Sequence, residues 1–335
     1  MWQDRSKNFY IIVSAAIILI VAAFVYFAFF LYKERSAPET PLSGFLTLTL
    51  RPRVENATTS VYFYNLKDKK FTFLNDKNSL NINAHGLPSG DAVTSSSFFA
   101  AAGTPDENVF QLYQVDMKNN FMKKQITSSR TFLKRHPELS PDGQKIAFMA
   151  KQKLDNNATS TSMDDWSVYV TDLNGNEKLL GPGAYPQWSP DSRKLLFLRS
   201  EGLYLYNLEK EIGAKVWGMA DGRAVLRMNI DVSRDGSHLA WSVPNNHQVI
   251  LAKISSWEPF NLGEQKTIDE VFAFWPVFSP KGEYLAAITG DEEGIGVAKP
   301  WVTIYNTETL ESQKVLDLNY FSVNAMTLTD WGILN

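Results

Sequence analysis

One short pattern recurs four times along this chain and restricts the folds available to it. Each copy has an apolar residue, Ser, a turn and a second apolar run: LSPDGQKIAF from Leu139, WSPDSRKLLF from Trp188, VSRDGSHLAW from Val232 and FSPKGEYLAA from Phe278. The motif serines stand at positions 140, 189, 233 and 279, so the steps are 49, 44 and 46 residues. Because Pro and Asp favour a tight turn and Gly tolerates positive φ, each copy predicts a hairpin between two strands.

A second series of strand-like segments follows the hairpins. Its six members alternate apolar and polar residues or are rich in aromatic residues: SVYFYNL from Ser60, VFQLYQVD from Val109, WSVYVTDL from Trp166, GLYLYNL from Gly202, HQVILAKI from His247 and PWVTIYNT from Pro300. Five of them reach Asn or Asp near their ends, and charged or polar turns follow. A period in the forties with strand-like content is typical of propeller arrays. The chain therefore predicts an all-β fold, a six-bladed β-propeller of four-stranded blades.

The two ends of the repeat region complement each other. The segment Phe45–Leu50 starts a first blade that has no innermost strand, and VNAMTLTDWG near the C-terminus has too few residues after it for a further strand. We place Thr329 and Gly332 at the Ser and Gly positions of the motif. The C-terminal strand is thus predicted to complete the N-terminal blade, which removes an exposed sheet edge. In the second blade, no turn motif is readable near Thr94–Ala100.

The Ser-Pro-Asp-Gly hairpins and their spacing resemble the TolB-type WD-like propeller family. The resemblance runs from Phe45 to the C-terminus, and its motif is specific for fold rather than for function. It implies that a ligand binds on one face of the ring, around the central channel. The chain departs from TolB itself, because a hydrophobic segment stands where a separate N-terminal α/β domain is expected.

That hydrophobic segment, Phe9–Tyr32, has 24 residues and no charge. A helix of this length spans about 36 Å, which suffices to cross a bilayer. We predict an N-terminal tail (1–8), a transmembrane helix (9–32), a linker (33–44) and the propeller (45–335). A cleaved signal peptide is one alternative, although its apolar core is normally shorter. A buried globular helix is the other, although this segment is apolar on all faces.

The charges that flank the segment do not orient it. Arg5 and Lys7 precede it, Lys33 and Arg35 follow it, and an acidic residue lies beside each pair. The short N-terminal tail leads us to place the N-terminus in the cytoplasm and the propeller outside, in a bacterial type of cell envelope.

The composition and motif content of the chain argue against several classes of function. A net charge of −3 does not indicate the broad basic face of a nucleic-acid-binding protein. The absence of cysteine excludes disulfides, thiolate metal sites and a cysteine nucleophile. The four histidines are dispersed, and no G-x-S-x-G nucleophile elbow is present. We therefore predict no catalytic residue, no metal site and no cofactor.

Three copies of the motif carry Pro three residues before the serine, and the residue preceding that Pro is expected to be extended. These preceding residues should cluster where the innermost strands begin, at the mouth of the channel. The alternative is that they pack between blades. The predicted channel-mouth binding residues, with the equivalent residue of a fourth copy, are His136, Tyr185, Trp275 and Asn229.

Loops between the second and third strands are predicted to enlarge one side of the same face. The longer ones are residues 51–59, 102–108, 151–165 and 290–300. We predict a mostly acidic rim that faces a partner, and the alternative is a set of solvated loops without one. The rim residues proposed for binding are Arg51, Arg53, Asp106, Glu107, Asp164, Asp165, Asp291, Glu292 and Glu293.

These observations favour a membrane-anchored, extracytoplasmic propeller that acts as a non-catalytic binding or scaffolding module. Its expected partners are a protein or a cell-wall component, with no nucleic acid. The alternative is a channel-site hydrolase or lyase acting on glycans or peptides. That alternative needs carboxylates that converge in the channel, a property that the sequence does not display.

Overall fold

The computed structural model describes residues 42–54, 59–74, 79–86, 92–98, 110–116, 118–128, 132–152, 163–218, 229–243, 248–270, 272–293, 297–322 and 326–332. The chain divides into the units Met1–Leu42 and Ser43–Asn335. The predicted transmembrane segment, 9–32, lies outside the described residues. Within the described part of the chain, no helix combines the length and apolar character needed to span a bilayer.

The described strands form six four-stranded antiparallel sheets, named here I to VI. Sheet I contains β1 (Phe45–Leu50), β2 (Ser60–Asn65), β3 (Lys70–Phe73) and the last strand, β24 (Thr327–Gly332). Sheet II contains β4 (Ser79–Gly86), β5 (Ala92–Phe98), β6 (Phe110–Asp116) and β7 (Met122–Gln125). Sheet III contains β8 (Phe132–Leu139), β9 (Lys145–Gln152), β10 (Ser167–Asp172) and β11 (Glu177–Pro182).

The remaining three sheets follow in chain order. Sheet IV contains β12 (Ala184–Trp188), β13 (Lys194–Arg199), β14 (Gly202–Asn207) and β15 (Ile212–Gly218). Sheet V contains β16 (Ile230–Val232), β17 (His238–Val243), β18 (Gln248–Trp257) and β19 (Phe260–Ile268). Sheet VI contains β20 (Ala273–Phe278), β21 (Tyr284–Glu293), β22 (Val297–Asn306) and β23 (Ser312–Asp317).

The innermost strand of each sheet contacts the innermost strands of its two neighbours. Going around the ring, β24 contacts β4, β4 contacts β8, β8 contacts β12, β12 contacts β16, β16 contacts β20, and β20 contacts β24. This closed circuit surrounds a central channel, and it confirms the predicted all-β propeller fold. A 3₁₀ turn at Met163–Asp165 is the one helical element among the described residues.

The repeated turn is held by its own side chains. In sheet III, the Ser140 hydroxyl donates to Asp142 Oδ1 at 2.6 Å and accepts from the amide of Lys145 at 2.9 Å. The carboxylate of Asp142 also accepts from the amide of Gln144. Sheets IV and V repeat the Ser-to-Asp bond, and sheet VI, which has Lys281 at the Asp position, keeps the amide-to-serine bond. The motif therefore encodes a hairpin, because its own side chains hydrogen-bond to the local backbone and fix the turn.

The Asn and Asp residues that end the third strands also act as turn acceptors. Asn65 Oδ1 accepts from the amides of Lys67 and Asp68, and Asn207 Oδ1 accepts from those of Glu209 and Lys210. Asp116, Asp172 and Asn306 accept in the same manner. Each third strand consequently passes into the outermost strand through an Asx turn.

The C-terminal strand closes sheet I, as the sequence predicts. β24 pairs antiparallel with β1, and the indole Nε1 of Trp331 donates to the carbonyl of Ser43 at 3.0 Å. The predicted alignment of the motif is wrong here, because Trp331 pairs with Leu46 as Trp188 pairs with Leu195. Gly332, rather than Thr329, therefore falls at the motif serine position.

One further expectation about a connection is corrected. The segment Gly290–Pro300, predicted as a loop, mostly continues the sheet, since Glu293 pairs with Val297 and Asp291 with Lys299. In the second repeat, where the sequence shows no readable turn motif near Thr94–Ala100, β5 runs through Phe98. The hairpin of that sheet spans residues 87–91, which lie outside the described part of the chain.

Candidate functional site

The innermost strands share a bulge that aims side chains into the channel. Asn83, His136, Tyr185 and Trp275 have positive φ values of 45°, 49°, 53° and 55°. The register of each strand shifts at this point, between Ile82 and Ala84 in β4 and at the equivalent places in β8, β12 and β20. The expectation of an extended residue before the Pro is therefore wrong. The bulge inserts an extra residue, and this forces the left-handed conformation on bulky side chains.

A ring of six equivalent positions follows the bulge, one from each sheet. Four of them lie two residues before a motif serine, and the other two share the same register after the bulge. We call this set the floor ring: His85, Glu138, Gln187, Asp231, Val277 and Asp330. Five of its six members are polar or ionisable, which is unusual for positions at the centre of a β fold.

The imidazole of His85 joins two carboxylates of the floor ring. Its Nδ1 lies 3.0 Å from Glu138 Oε2, and its Nε2 lies 3.4 Å from Asp330 Oδ1. Nδ1 is also 2.9 Å from the amide of Leu139. We assign the Nδ1 contact to the carboxylate, because a protonated imidazole donates from both nitrogens and cannot accept from an amide.

Further contacts of the floor ring involve an amide side chain, a backbone amide and a guanidinium group. Gln187 Nε2 donates to Glu138 Oε1 at 3.2 Å, and the amide of Phe278 donates to Asp231 Oδ2 at 2.6 Å. The guanidinium of Arg234, at the edge of the channel, lies 3.7 Å from Asp330 Oδ1. The ring is therefore a connected polar network in which Asp231 has a backbone donor.

Burial and charge shift the pKa values of this network in a consistent way. Burial lowers the pKa of His85, but the carboxylates of Glu138 and Asp330 outweigh it and raise the pKa to about 9. Burial raises the pKa of Glu138 to about 7, and the nearby Asp330 adds to the effect. Burial also raises the pKa of Asp231 well above its usual range, and Glu138 acts in the same direction. The floor thus holds a protonated imidazole and carboxylates that resist ionisation.

A cavity of about 260 Å³ opens above the floor ring, on the side of the Ser-Pro-Asp turns. We call it the turn-side cavity. Its wall is apolar and consists of the residues that directly precede the motif serines, Leu139, Trp188, Val232 and Phe278. Its edge is formed by turn residues, including Pro141 and Arg234. A pocket with an apolar wall and a polar floor suits a side chain that has an apolar stem and a polar tip.

Aromatic rings occupy the other end of the channel. The centroid of His136 lies 4.7 Å from that of Tyr185 and 5.8 Å from that of Trp275, and Tyr185 and Trp275 are 6.1 Å apart. We call these three residues the aromatic cluster. They come from sheets III, IV and VI, and a space of only about 30 Å³ remains beside them. The cluster therefore nearly fills this end of the channel.

The predicted channel-mouth residues do converge, but the larger cavity lies at the opposite end. Asn229, the fourth of them, lines the small space and accepts a hydrogen bond from Ser242 Oγ at its Oδ1. Burial and the adjacent Arg135 lower the pKa of His136 to about 3, and burial raises the pKa of Tyr185. Whether these residues bind a partner stays a prediction.

Only some of the predicted rim residues are among the described residues. Arg51 and Arg53 are exposed, and Arg53 Nε donates to the carbonyl of Phe321 at 2.6 Å. Asp165 is exposed, and Asp164 belongs to the same 3₁₀ turn. Asp291, Glu292 and Glu293 lie at the end of β21, paired with the start of β22. Asp106 and Glu107 lie outside the described residues.

Sequence reasoning missed the floor ring and the arginine at its edge. A signal existed for three members, because Glu138, Gln187 and Asp231 stand two residues before a motif serine. His85 and Asp330 had no such signal, since their hairpins depart from the motif. Among the described residues, no group of three His, Asp or Glu side chains has a geometry that could hold a metal ion.

Comparisons with known proteins bear on the fold. No protein-family model matches the chain, and no curated protein matches it in sequence. The structure is similar to TolB from Acinetobacter baumannii, with a TM-score of 0.64 and 17% identity over 91% of this chain and 70% of that chain. A TolB structure from Agrobacterium tumefaciens matches with a TM-score of 0.59 and 14% identity, over 86% of this chain and 94% of that one.

An enzyme shares the architecture at a lower level of similarity. An oligogalacturonate lyase from Vibrio parahaemolyticus matches with a TM-score of 0.51 and 13% identity, over 78% of this chain and 72% of that one. At such identities a likeness describes the fold and leaves the chemistry open. The shared fold is that of the TolB-type β-propellers.

Proposed function

We propose that the chain is a non-catalytic binding or scaffolding module that holds a protein or cell-envelope partner in the turn-side cavity. The observation that carries this proposal is the cavity itself, with its apolar wall and charged floor. Small-molecule sites usually measure about 300–1,000 Å³. A cavity of about 260 Å³ is better matched to one or two side chains of a partner segment.

A capture experiment with a blocked cavity tests this proposal. The tagged full-length chain is solubilised from native membranes in mild detergent, and co-purifying proteins are identified by mass spectrometry. Pro141→Trp places a large ring at the edge of the cavity, and we expect it to abolish capture of the partner. Pro280→Trp is the matched control, because Pro280 has the same place in the turn of sheet VI but does not line the cavity. Equal capture by both variants contradicts the proposal.

The proposed location is the outer face of a bacterial cytoplasmic membrane, with the propeller held there by the segment 9–32. Support comes from the 24 uncharged residues of that segment. A protease added to intact spheroplasts is expected to digest the propeller, and the chain is expected to stay in the membrane pellet at alkaline pH. Protection from the protease, or release into the soluble fraction, contradicts the respective part of the proposal.

The acidic rim is proposed as a separate partner contact, at the end of the ring opposite the turn-side cavity. Arg53 and Asp165, which belong to these segments, are exposed, and this is compatible with such a contact. Replacing residues 151–165 with a short turn is expected to weaken capture. Unchanged capture by that variant would restrict the interface to the cavity.

A second candidate function is a channel-site hydrolase or lyase acting on glycans or peptides. The observation that favours it is the contact of Glu138 and Asp330 with one imidazole, together with the pKa of Glu138 near 7. Enzymes that cleave glycosidic bonds use one protonated and one ionised carboxyl group. Loss of a general acid typically slows such reactions about 10²–10⁴-fold. Turnover of a fluorogenic oligosaccharide or peptide that falls by this factor in Glu138→Gln would establish the enzyme, and absence of turnover would leave the binding module.

A further inference from the structure

The floor ring contains more acidic than basic groups. Three carboxylates, those of Glu138, Asp231 and Asp330, face two cationic groups, His85 and Arg234. His85 lies between Glu138 and Asp330, and Arg234 approaches Asp330. Among the described residues, both cations contact Asp330. Buried charges are stable when they are paired, so an additional positive charge would favour ionisation of the remaining carboxylates.

Asp231 is the floor-ring carboxylate that has no cation within ion-pair distance among the described residues, although the charge of His85 acts on it from farther away. Its neighbours in the floor ring are Gln187 and Val277, and neither carries a charge. The amide of Phe278 donates to its Oδ2, and no ion pair of Asp231 occurs among the described residues. The carboxylate also lines the turn-side cavity, so a group that enters from solvent can reach it.

The wall of the cavity indicates the rest of the ligand. Trp188, Val232 and Phe278 lie between the edge and the floor, so a ligand must pass an apolar zone before it reaches a carboxylate. A bare inorganic cation loses hydration in such a zone without compensation. An aliphatic stem that ends in an ammonium or guanidinium group fits both zones, because the stem covers the wall and the head meets the floor.

From this arrangement we propose that the turn-side cavity binds the side chain of a lysine or arginine, with the aliphatic stem on the apolar wall and the cationic head on Asp231. The inference specifies the ligand of the function proposed above and rests on it for the source of that side chain, a segment of the partner protein. In this proposal Asp231 binds the cationic head of the ligand. Arg234 weakens the binding, because its positive charge competes with that of the ligand.

Proton release is a consequence of this mode of binding. With the pKa of Glu138 raised to about 7 and that of Asp231 also raised, the empty floor retains protons near neutral pH. A bound cation favours the ionised carboxylates, so binding and deprotonation are linked. All charged groups that face the site, His85, Glu138, Asp231, Asp330 and Arg234, enter into this balance. For a group with a pKa of about 7, affinity is expected to rise about tenfold from pH 6 to pH 8.

The experiment compares two probes that differ by one charged group. Nα-acetyl-lysine methylamide and Nα-acetyl-norleucine methylamide share a four-carbon stem, and the second lacks the ammonium group. The full-length chain in lipid nanodiscs carries 5-fluorotryptophan, and the fluorine signal of Trp188, assigned through Trp188→Phe, reports occupancy of the cavity. Titrations are carried out in buffer with a chelator, so that no metal ion competes.

We expect the lysine probe to bind about tenfold more tightly than the norleucine probe, a preference typical of one desolvated ion pair. Asp231→Asn should remove this preference, and Arg234→Gln should increase it about threefold. The opposite directions separate a charge effect from damage to the fold, because damage weakens both variants. Equal binding of the two probes, an unchanged preference in Asp231→Asn, or weaker lysine binding in Arg234→Gln would overturn the proposal.

The outcome is separable from that of the capture experiment. If a partner is captured through the cavity but the two probes bind equally, the ligand class is wrong and the binding module stands. If no partner depends on the cavity but the lysine probe binds at Trp188 with the expected variants, the ligand class stands and the proposed partner is wrong.

Discussion

Two histidines on neighbouring innermost strands, one at each end of the channel, have pKa values that shift in opposite directions. His85 contacts Glu138 and Asp330 on the floor ring, and its pKa rises to about 9. His136 lies in the aromatic cluster beside Arg135, and its pKa falls to about 3. At neutral pH the first is charged and the second is neutral. His136 stands at the bulge position of its strand and His85 at the floor-ring position two residues later in register, and the neighbouring side chains decide each protonation state.

The comparison separates a closely packed end of the channel from an end that opens into a cavity. At the aromatic end, three rings from three sheets fill the channel and leave little space. At the other end, charged groups line a cavity that is open to solvent. Aromatic contacts stabilise a closed core, whereas charged groups at the bottom of a pocket retain the capacity to pair with an incoming group.

The largest expected effect comes from removing the centre of the aromatic cluster. Trp275→Ala should lower the free energy of unfolding by about 3 kcal/mol, because a Trp side chain that packs against two rings is replaced by a void. Chemical denaturation followed by far-UV circular dichroism measures the change. The control is Tyr320→Ala, an exposed aromatic residue whose loss should cost less than about 0.5 kcal/mol. Similar costs for the two variants would show that the cluster does not close the channel.

The next effect in order of size is expected for the charged histidine. The pKa of His85 is 6.5 in the unfolded chain and about 9 in the folded chain, so its contribution is complete below pH 6.5 and is lost as the pH rises through 9. The gap in unfolding free energy between the wild type and His85→Gln should therefore shrink by about 3 kcal/mol between pH 6 and pH 9.5. Urea denaturation at both pH values measures this gap, and a gap that grows with pH would contradict the assignment of His85 as a cation.

Asp231→Asn tests the uncompensated carboxylate. Because the pKa of Asp231 is raised in the folded chain, the acid contributes stability below pH 3.8 that is lost as the pH increases. The Asn variant should match the wild type near pH 4 and be more stable than the wild type at pH 8. Thermal unfolding at the two pH values provides the measurement. A variant less stable than the wild type at pH 8 would mean that the charge is already paired.

The smallest effect is expected for the neutral histidine, and its sign is reversed. The pKa of His136 is 6.5 in the unfolded chain and about 3 in the folded chain, so its contribution is present above pH 6.5 and is lost as the pH falls. The gap between the wild type and His136→Gln should shrink by about 2.5 kcal/mol from pH 7 to pH 4.5. Urea denaturation across this range would show the gap. If it shrinks instead on the alkaline side, the two ends of the channel do not differ as described.

Much of the architecture follows from local chemistry that the sequence displays. Ser140, Asp142 and Gly143 specify a turn through their own hydrogen bonds and backbone preference, so the hairpins and their period were predictable. Asn65 and Asn207 act likewise at the outer turns. The closing strand was predictable because FLTLTL needs an inner partner and TLTDWG needs an outer one. In each case a few adjacent residues contain the necessary information.

The site was not predictable, because its members are brought together by register rather than by motif. Gly86 pairs with Ala92, which leaves five residues (87–91) in the hairpin, whereas Trp188 pairs with Leu195 and leaves six (189–194). Because this connection is one residue shorter, the sequence does not show that His85 and Glu138 occupy equivalent positions. At the other end of the chain, the sequence aligned Thr329 with the motif serine, whereas the strand pairing puts Gly332 there, so the expected position of Asp330 was wrong by three residues. The pKa values depend on contacts between sheets, which no single segment contains.

The position of Asp330 on the closing strand has a consequence for the order of folding. Its strand pairs with β1, and the hydrogen bond from Thr329 to the carbonyl of Thr47 joins residues 282 positions apart. Contacts of such sequence separation form late, because loop closure over a long chain has a high entropic cost. During synthesis, His85 and Glu138 therefore precede their third partner by 245 and 192 residues. The cavity acquires its complete charge pattern only after β24 has been made and has paired with β1, so the proposed binding of a cationic side chain requires the closed ring.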